Sequence, residues 1–107
     1  MTSIELESAL LENEIVAIYF WSPSCSRCKL YGQGIESFFQ NKGLSLIKVD
    51  TSEEMDVALK YNVLSLPTLI FFRKGQEKVR ITSATISMVE IEKSYVKITQ
   101  MVNENIS

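Results

Sequence analysis

The chain has 107 residues, 46% of them hydrophobic, which suits a single domain over residues 1–107 and leaves no material for a second core. Eleven basic against 13 acidic residues provide no field to hold a nucleic-acid backbone, and no apolar run is long enough to cross a bilayer as a helix. Two cysteines are too few for a disulfide scaffold, and there is no histidine to act as base or ligand.

The opening segment Met1-Thr2-Ser3-Ile4-Glu5-Leu6-Glu7 is acidic where a secretory signal is basic, so a cytoplasmic protein is expected. Thr2 followed by Glu5 has the form of a capping box, and Ile4, Leu6, Ala9, Leu10 and Leu11 keep roughly helical spacing, which predicts a first helix to about Asn13. Ile15 to Trp21 is a short apolar run rich in β-branched and aromatic residues and reads as a strand buried on both faces. Ser22-Pro23-Ser24 end it.

From Cys25 to about Gln40 the composition is helical, with Leu30, Ile35, Phe38 and Phe39 as inward positions. Gly32 and Gly34 weaken that helix by roughly 1 kcal/mol each and predict a bend. Lys42-Gly43 closes it, Leu44 to Asp50 supplies a second strand, and Thr51-Ser52-Glu53-Glu54 opens a helix that ends near Tyr61-Asn62. Thr68 to Arg73 is a third strand, turning at Lys74-Gly75-Gln76 into a fourth over Glu77 to Thr82. The last helix is opened by Ser87 with Glu90 three residues on, and its apolar stripe is Met88, Ile91, Tyr95, Ile98 and Val102.

The fold class is therefore α/β. Two strands joined by a helical crossover form a parallel pair, the hairpin adds an antiparallel pair, and helices flank this mixed sheet of about four strands on both faces.

Cys25 and Cys28 stand at the junction of the first strand and the second helix. Thiols at i and i+3 can close into a disulfide and reopen, which makes the pair a two-electron switch. A sulfur at a helix N-terminus faces unsatisfied N–H groups and the positive end of the dipole, and Arg27 and Lys29 add positive charge, so the thiolate of Cys25 is favoured. The spacing alone also fits two small buried core residues, or half of a metal or cluster site shared between two chains. Arg27 and Lys29 equally fit a solvated face, Trp21 a core position, and Asp50 a strand-end cap with no catalytic role.

Three separated motifs carry a resemblance. They are Phe20-Trp21 leading to Cys25-Ser26-Arg27-Cys28-Lys29; Lys48-Val49-Asp50; and Leu66-Pro67-Thr68 followed by Phe71-Phe72-Arg73-Lys74-Gly75. With the order of elements, they make the chain resemble the thioredoxin family from about Glu14 to the C-terminal helix. That resemblance implies the thioredoxin fold and a thiol-disulfide oxidoreductase that exchanges protein disulfides as a cytoplasmic reductant. It implies Cys25 as exposed nucleophile, Cys28 as buried resolving thiol and a cis bond before Pro67 that brings the Leu66 backbone beside the cysteines. Substrate contact would fall to Leu66, Pro67, Trp21, Ser24 and Arg27, and Lys48 and Lys29 would tune the pair. It implies no cofactor and no metal. The partners would be disulfide-containing client proteins and a thioredoxin reductase or other thiol donor, met by a monomer.

The chain departs from the family pattern at several positions. Ser24 replaces the usual Trp before the first cysteine, Ser26-Arg27 replaces Gly-Pro, Tyr19 stands where many members bury an Asp, and Ser83-Ala84 stands for a Gly-Ala pair. A strand before the first helix is also absent from the expected order. These departures support a second reading, a thioredoxin-fold binding or redox-sensing module with weak or no turnover.

Overall fold

The computed structural model describes residues 3–104. Every predicted element is present, in the order α1 (Ser3–Glu12), β1 (Ile15–Trp21), α2 (Ser26–Lys42), β2 (Ser45–Asp50), α3 (Met55–Lys60), β3 (Thr68–Arg73), β4 (Gln76–Ile81) and α4 (Met88–Glu104). Thr2 of the expected capping box, and the side chain of Val102 in the expected α4 stripe, lie outside the described residues.

The four strands form one sheet in the order β2-β1-β3-β4, with β1 parallel to β2 and the other neighbours antiparallel. Side chains alternate across a strand, so β1 feeds two cores at once. Val16, Ile18 and Phe20 join Leu6 and Leu10 of α1, Val57 and Ala58 of α3, and Ile70 and Phe72 of β3. Ala17 and Tyr19 point the other way, to Ile35 and Phe39 of α2, Leu69 and Phe71 of β3, and Ile91 and Ile98 of α4. Two helices thus cover each face, and β1 and β3, fully flanked, are the buried strands.

Local signals end the elements where their chemistry requires. Gly43, at φ 66°, takes the left-handed position after α2 and its N–H bonds the Gln40 carbonyl, while the next N–H, of Leu44, reaches the Phe39 carbonyl at 2.9 Å. The Ser87 hydroxyl accepts the Glu90 N–H at 3.1 Å and caps α4.

Three expectations need correction. Leu30 is 73% exposed, because the inward face of α2 is set by Cys28, Ile35 and Phe39, and a residue two places from Cys28 is turned about 200° away from it. Met88, the first residue of α4, is also on the exposed side, covering Gly34 of α2 rather than entering the core. Strand β4 starts one residue earlier than expected, and the pairing steps from Phe71 with Val79 to Phe72 with Glu77, so Lys78 forms a bulge.

Candidate active site

The end of β1 leads directly into the cysteines. The Cys25 N–H bonds the Ser22 carbonyl at 3.1 Å, closing a tight turn through Pro23 and Ser24, and the Ser22 and Ser24 hydroxyls lie 3.2 Å apart. Cys25 is then the N-cap of α2, in an extended conformation that frees its side chain to face the first turn. Its Sγ accepts the Cys28 N–H at 3.2 Å. A sulfur held there meets an otherwise unpaired backbone donor and the positive helix end, both of which stabilise a thiolate more than a thiol.

Cys25 and Cys28 are joined as a disulfide, with Cα atoms 5.3 Å apart. Cys25 is half-buried and Cys28 buried, so only the first sulfur is open to a partner. The Leu66–Pro67 peptide bond is cis. Because Phe20 pairs with Thr68, Pro67 stands level with Trp21 at the sheet end from which the cysteine turn emerges. Ser83 and Ala84 leave β4 at that same end, since Ile81 pairs with Leu69.

Two different concave surfaces lie on opposite faces of the sheet, and the first reaches Cys28. On the α2 side, Tyr19, Trp21, Cys28, Lys29, Gln33, Glu36 and Lys48 line a cleft of about 220 Å³. Lys48 lies across from Tyr19 in the parallel pairing, its Nζ bonds Glu36 Oε1 at 2.7 Å, and it sits 5.2 Å from the centre of the Trp21 ring. On the α3 side, Leu66 edges an apolar groove of about 270 Å³ whose rim includes Met55, Leu59 and Leu64, the last 95% exposed.

Of the residues singled out by sequence, Trp21, Cys28, Lys29 and Lys48 therefore meet in one cleft, while Leu66 lines the groove on the α3 side and Pro67 stands at the same end of the sheet. Arg27 is elsewhere: its guanidinium lies over the Tyr31 ring, 5.9 Å from the centre. Sequence reasoning named Tyr19 only as a departure from the family pattern, and it missed Glu36. Tyr19 is 1% exposed, and its hydroxyl donates to the Cys28 carbonyl at 2.8 Å. Burial, followed by the charge of Glu36, pushes its phenol up to about 12, so it is a neutral donor and never a base near neutral pH. Glu36 was legible in principle, since Lys29, Gln33 and Glu36 follow the i, i+4, i+7 spacing of one helix face.

A family model described as Thioredoxin matches residues 1–97. The chain belongs to the thioredoxin family. Thioredoxin-1 of Saccharomyces cerevisiae is 31% identical over 90 residues, 83% of this chain and 87% of the yeast protein. The chloroplastic M-type thioredoxin of Spinacia oleracea is 35% identical over 78 residues, which are 70% of this chain but 43% of the spinach protein. Among solved structures, Fasciola hepatica thioredoxin superposes with a TM-score of 0.81 over 89% of this chain and 92% of its own, at 22% identity, and shows the shared fold. A thioredoxin with a Cys-x-x-Cys pair closed across the first turn of α2 is a thiol-disulfide oxidoreductase.

Proposed function

We propose that this chain reduces disulfides of client proteins in the reducing cytoplasm, working as a monomer and recharged by a thioredoxin reductase or another thiol donor. The observation that carries the reading is the asymmetry of the pair: Cys25 Sγ is partly open at the helix N-terminus and accepts the Cys28 N–H, while Cys28 is 2% exposed behind it.

In this reading Cys25 attacks as thiolate. It forms a mixed disulfide with one client sulfur and expels the other, and the Cys28 sulfur then attacks Cys25, releasing the reduced client and restoring the bond between the two cysteines. Leu66 and Pro67 form one wall for the client chain, and Trp21 and Ser24 the floor and near edge. Arg27, drawn over Tyr31, adds charge at the rim. Lys29 and Lys48 place positive charge on the side of the resolving sulfur, which favours its ionised form.

The test is insulin reduction with a thioredoxin reductase and NADPH. Wild type turns over, Cys25→Ser is inactive, and Cys28→Ser stalls as a mixed disulfide visible by mass. Binding of clients without Cys25-dependent turnover, under any thiol reductant, would favour the sensing module instead.

A further inference from the structure

The resolving step requires more than a second sulfur. Cys28 must lose a proton to attack, and it is buried with little direct access to solvent. The cleft that opens on it is where the proton can leave.

The titratable or charged groups facing that cleft come from three elements: Tyr19 from β1, Lys29 and Glu36 from α2, and Lys48 from β2. Tyr19 already spends its hydroxyl proton on the Cys28 carbonyl and ionises only near pH 12. The two lysines carry ammonium groups, which are donors without a free lone pair. Glu36 is the one carboxylate among the described lining residues.

We propose that Glu36 accepts the Cys28 proton during resolution and that Lys48 holds the carboxylate over the cleft. This rests on the thiol-disulfide reading above. Glu36 follows Cys28 by eight residues, a rise of about 12 Å along α2, and helix side chains lean toward the N-terminus, back toward the cysteine. The remaining gap is one that solvent would bridge, since a cleft of about 220 Å³ has room for several water molecules. The Lys48 ammonium at 2.7 Å fixes the carboxylate at the cleft wall, and the Trp21 ring in turn holds Lys48.

The step balances as follows. The Cys28 thiol proton passes through water to Glu36, the Cys28 sulfur bonds to Cys25, and the bond between Cys25 and the client sulfur breaks. The client leaves as a thiolate and takes a proton from solvent, and Glu36 returns its proton to solvent.

Removing Glu36 produces two opposite effects, which makes the experiment decisive. As an acceptor, its loss slows resolution; as a counter-charge, its loss frees Lys48 to stabilise the Cys28 thiolate and speeds it. Reduced wild type and Glu36→Gln are mixed with excess 5,5′-dithiobis(2-nitrobenzoate), and the two releases of thionitrobenzoate are followed by stopped flow. The first reports attack by Cys25 and the second reports resolution by Cys28.

The expected result is an unchanged first phase and a second phase slowed by roughly tenfold or more near neutral pH in Glu36→Gln. The deficit shrinks as pH rises, because hydroxide then removes the proton, and Glu36→Asp recovers part of the rate. A second phase equal to or faster than wild type at every pH overturns the proposal and leaves the exchange reading intact. Absence of the first phase in wild type overturns the exchange reading itself, and the role of Glu36 falls with it.

Discussion

At one end of the sheet, β1 runs out into a turn closed by the Ser22 carbonyl, α2 begins on a sulfur, and β3 starts from cis Pro67. At the other end, β3 and β4 are joined by Lys74 and Gly75 alone, the Lys74 N–H bonds the Glu14 carbonyl, and Leu11 of α1 folds over the turn. The first end is held by polar bonds to groups that must stay reachable, the second by a tight hairpin and apolar cover. The difference assigns chemistry to one end and closure to the other. Changes at the distal end should alter stability and leave exchange rates alone, whereas changes under the cysteines should alter both.

The largest stability effect is expected from Tyr19, which ties β1 to the first turn of α2. In the folded protein its phenol stays protonated to about pH 12, while in the unfolded chain it ionises near its ordinary value of 10. Between those values the unfolded state holds fewer protons. The contribution is therefore complete below pH 10 and is lost as pH rises toward 12, by roughly 2–3 kcal/mol for this residue. Tyr19→Phe should lose about 1 kcal/mol at neutral pH with the hydrogen bond to Cys28, and show only the shallower alkaline slope left by Tyr61, whose phenol burial also raises. Denaturant titrations across that pH range check it. Equal alkaline slopes in the two proteins would remove Tyr19 from the polar support of the active end.

Gly75 tests the distal end. Its φ of 82° lies in the left-handed region, and a Cβ there would stand 2.7 Å from Leu11 Cδ2. The clash is with the tip of an exposed side chain that can swing away, so the backbone conformation dominates, and Gly75→Ala should cost about 1–2 kcal/mol. Adding Leu11→Ala should not restore the loss; restoration would show that the cover over the turn, rather than its backbone, sets the stability of this end. Insulin reduction should be unchanged in either case.

How much of this was legible in the chain follows from what each signal encodes. The β1 run from Ile15 to Trp21 and the pattern around Leu66-Pro67-Thr68 specify buried strands and their junctions, and they located both the sheet and the cysteine end correctly. Leu30 misled because hydrophobicity marks a candidate for burial, while the helical phase set by Cys28, Ile35 and Phe39 decides which candidates face inward. The bulge at Lys78 left no mark in the sequence, because it keeps the inward pattern of Val79 and Ile81 intact. The contacts of Tyr19 and Glu36 were hidden for another reason. Each acts through a neighbour from a different element, Cys28 and Lys48, and such pairings appear only once the sheet register brings β1, β2 and α2 together.

The smallest effect should come from Arg73, at the far end of β3 opposite Ile15. Its side chain is 7% exposed, it pairs with Glu14 at 3.7 Å, and its buried Nε has no hydrogen-bond partner among the described residues. Glu14 is itself mostly exposed, so this ion pair is weakly coupled. An orphaned buried donor and a poorly neutralised charge cost stability, while the aliphatic stem of Arg73 packs as a hydrophobe and contributes it. Methionine keeps the packing and removes both polar penalties. Arg73→Met should therefore be neutral or stabilising by up to about 1 kcal/mol, as is common when a buried ionic group is replaced by an apolar one of similar length. Glu14→Gln, which leaves the guanidinium in place without its partner, should instead be slightly destabilising, and the double variant should match Arg73→Met alone. A loss of more than about 1 kcal/mol in Arg73→Met would show that this end depends on a buried charge after all. A change in the two phases of disulfide exchange would be the more serious result, since it would connect the closed end of the sheet to the cysteines at the other.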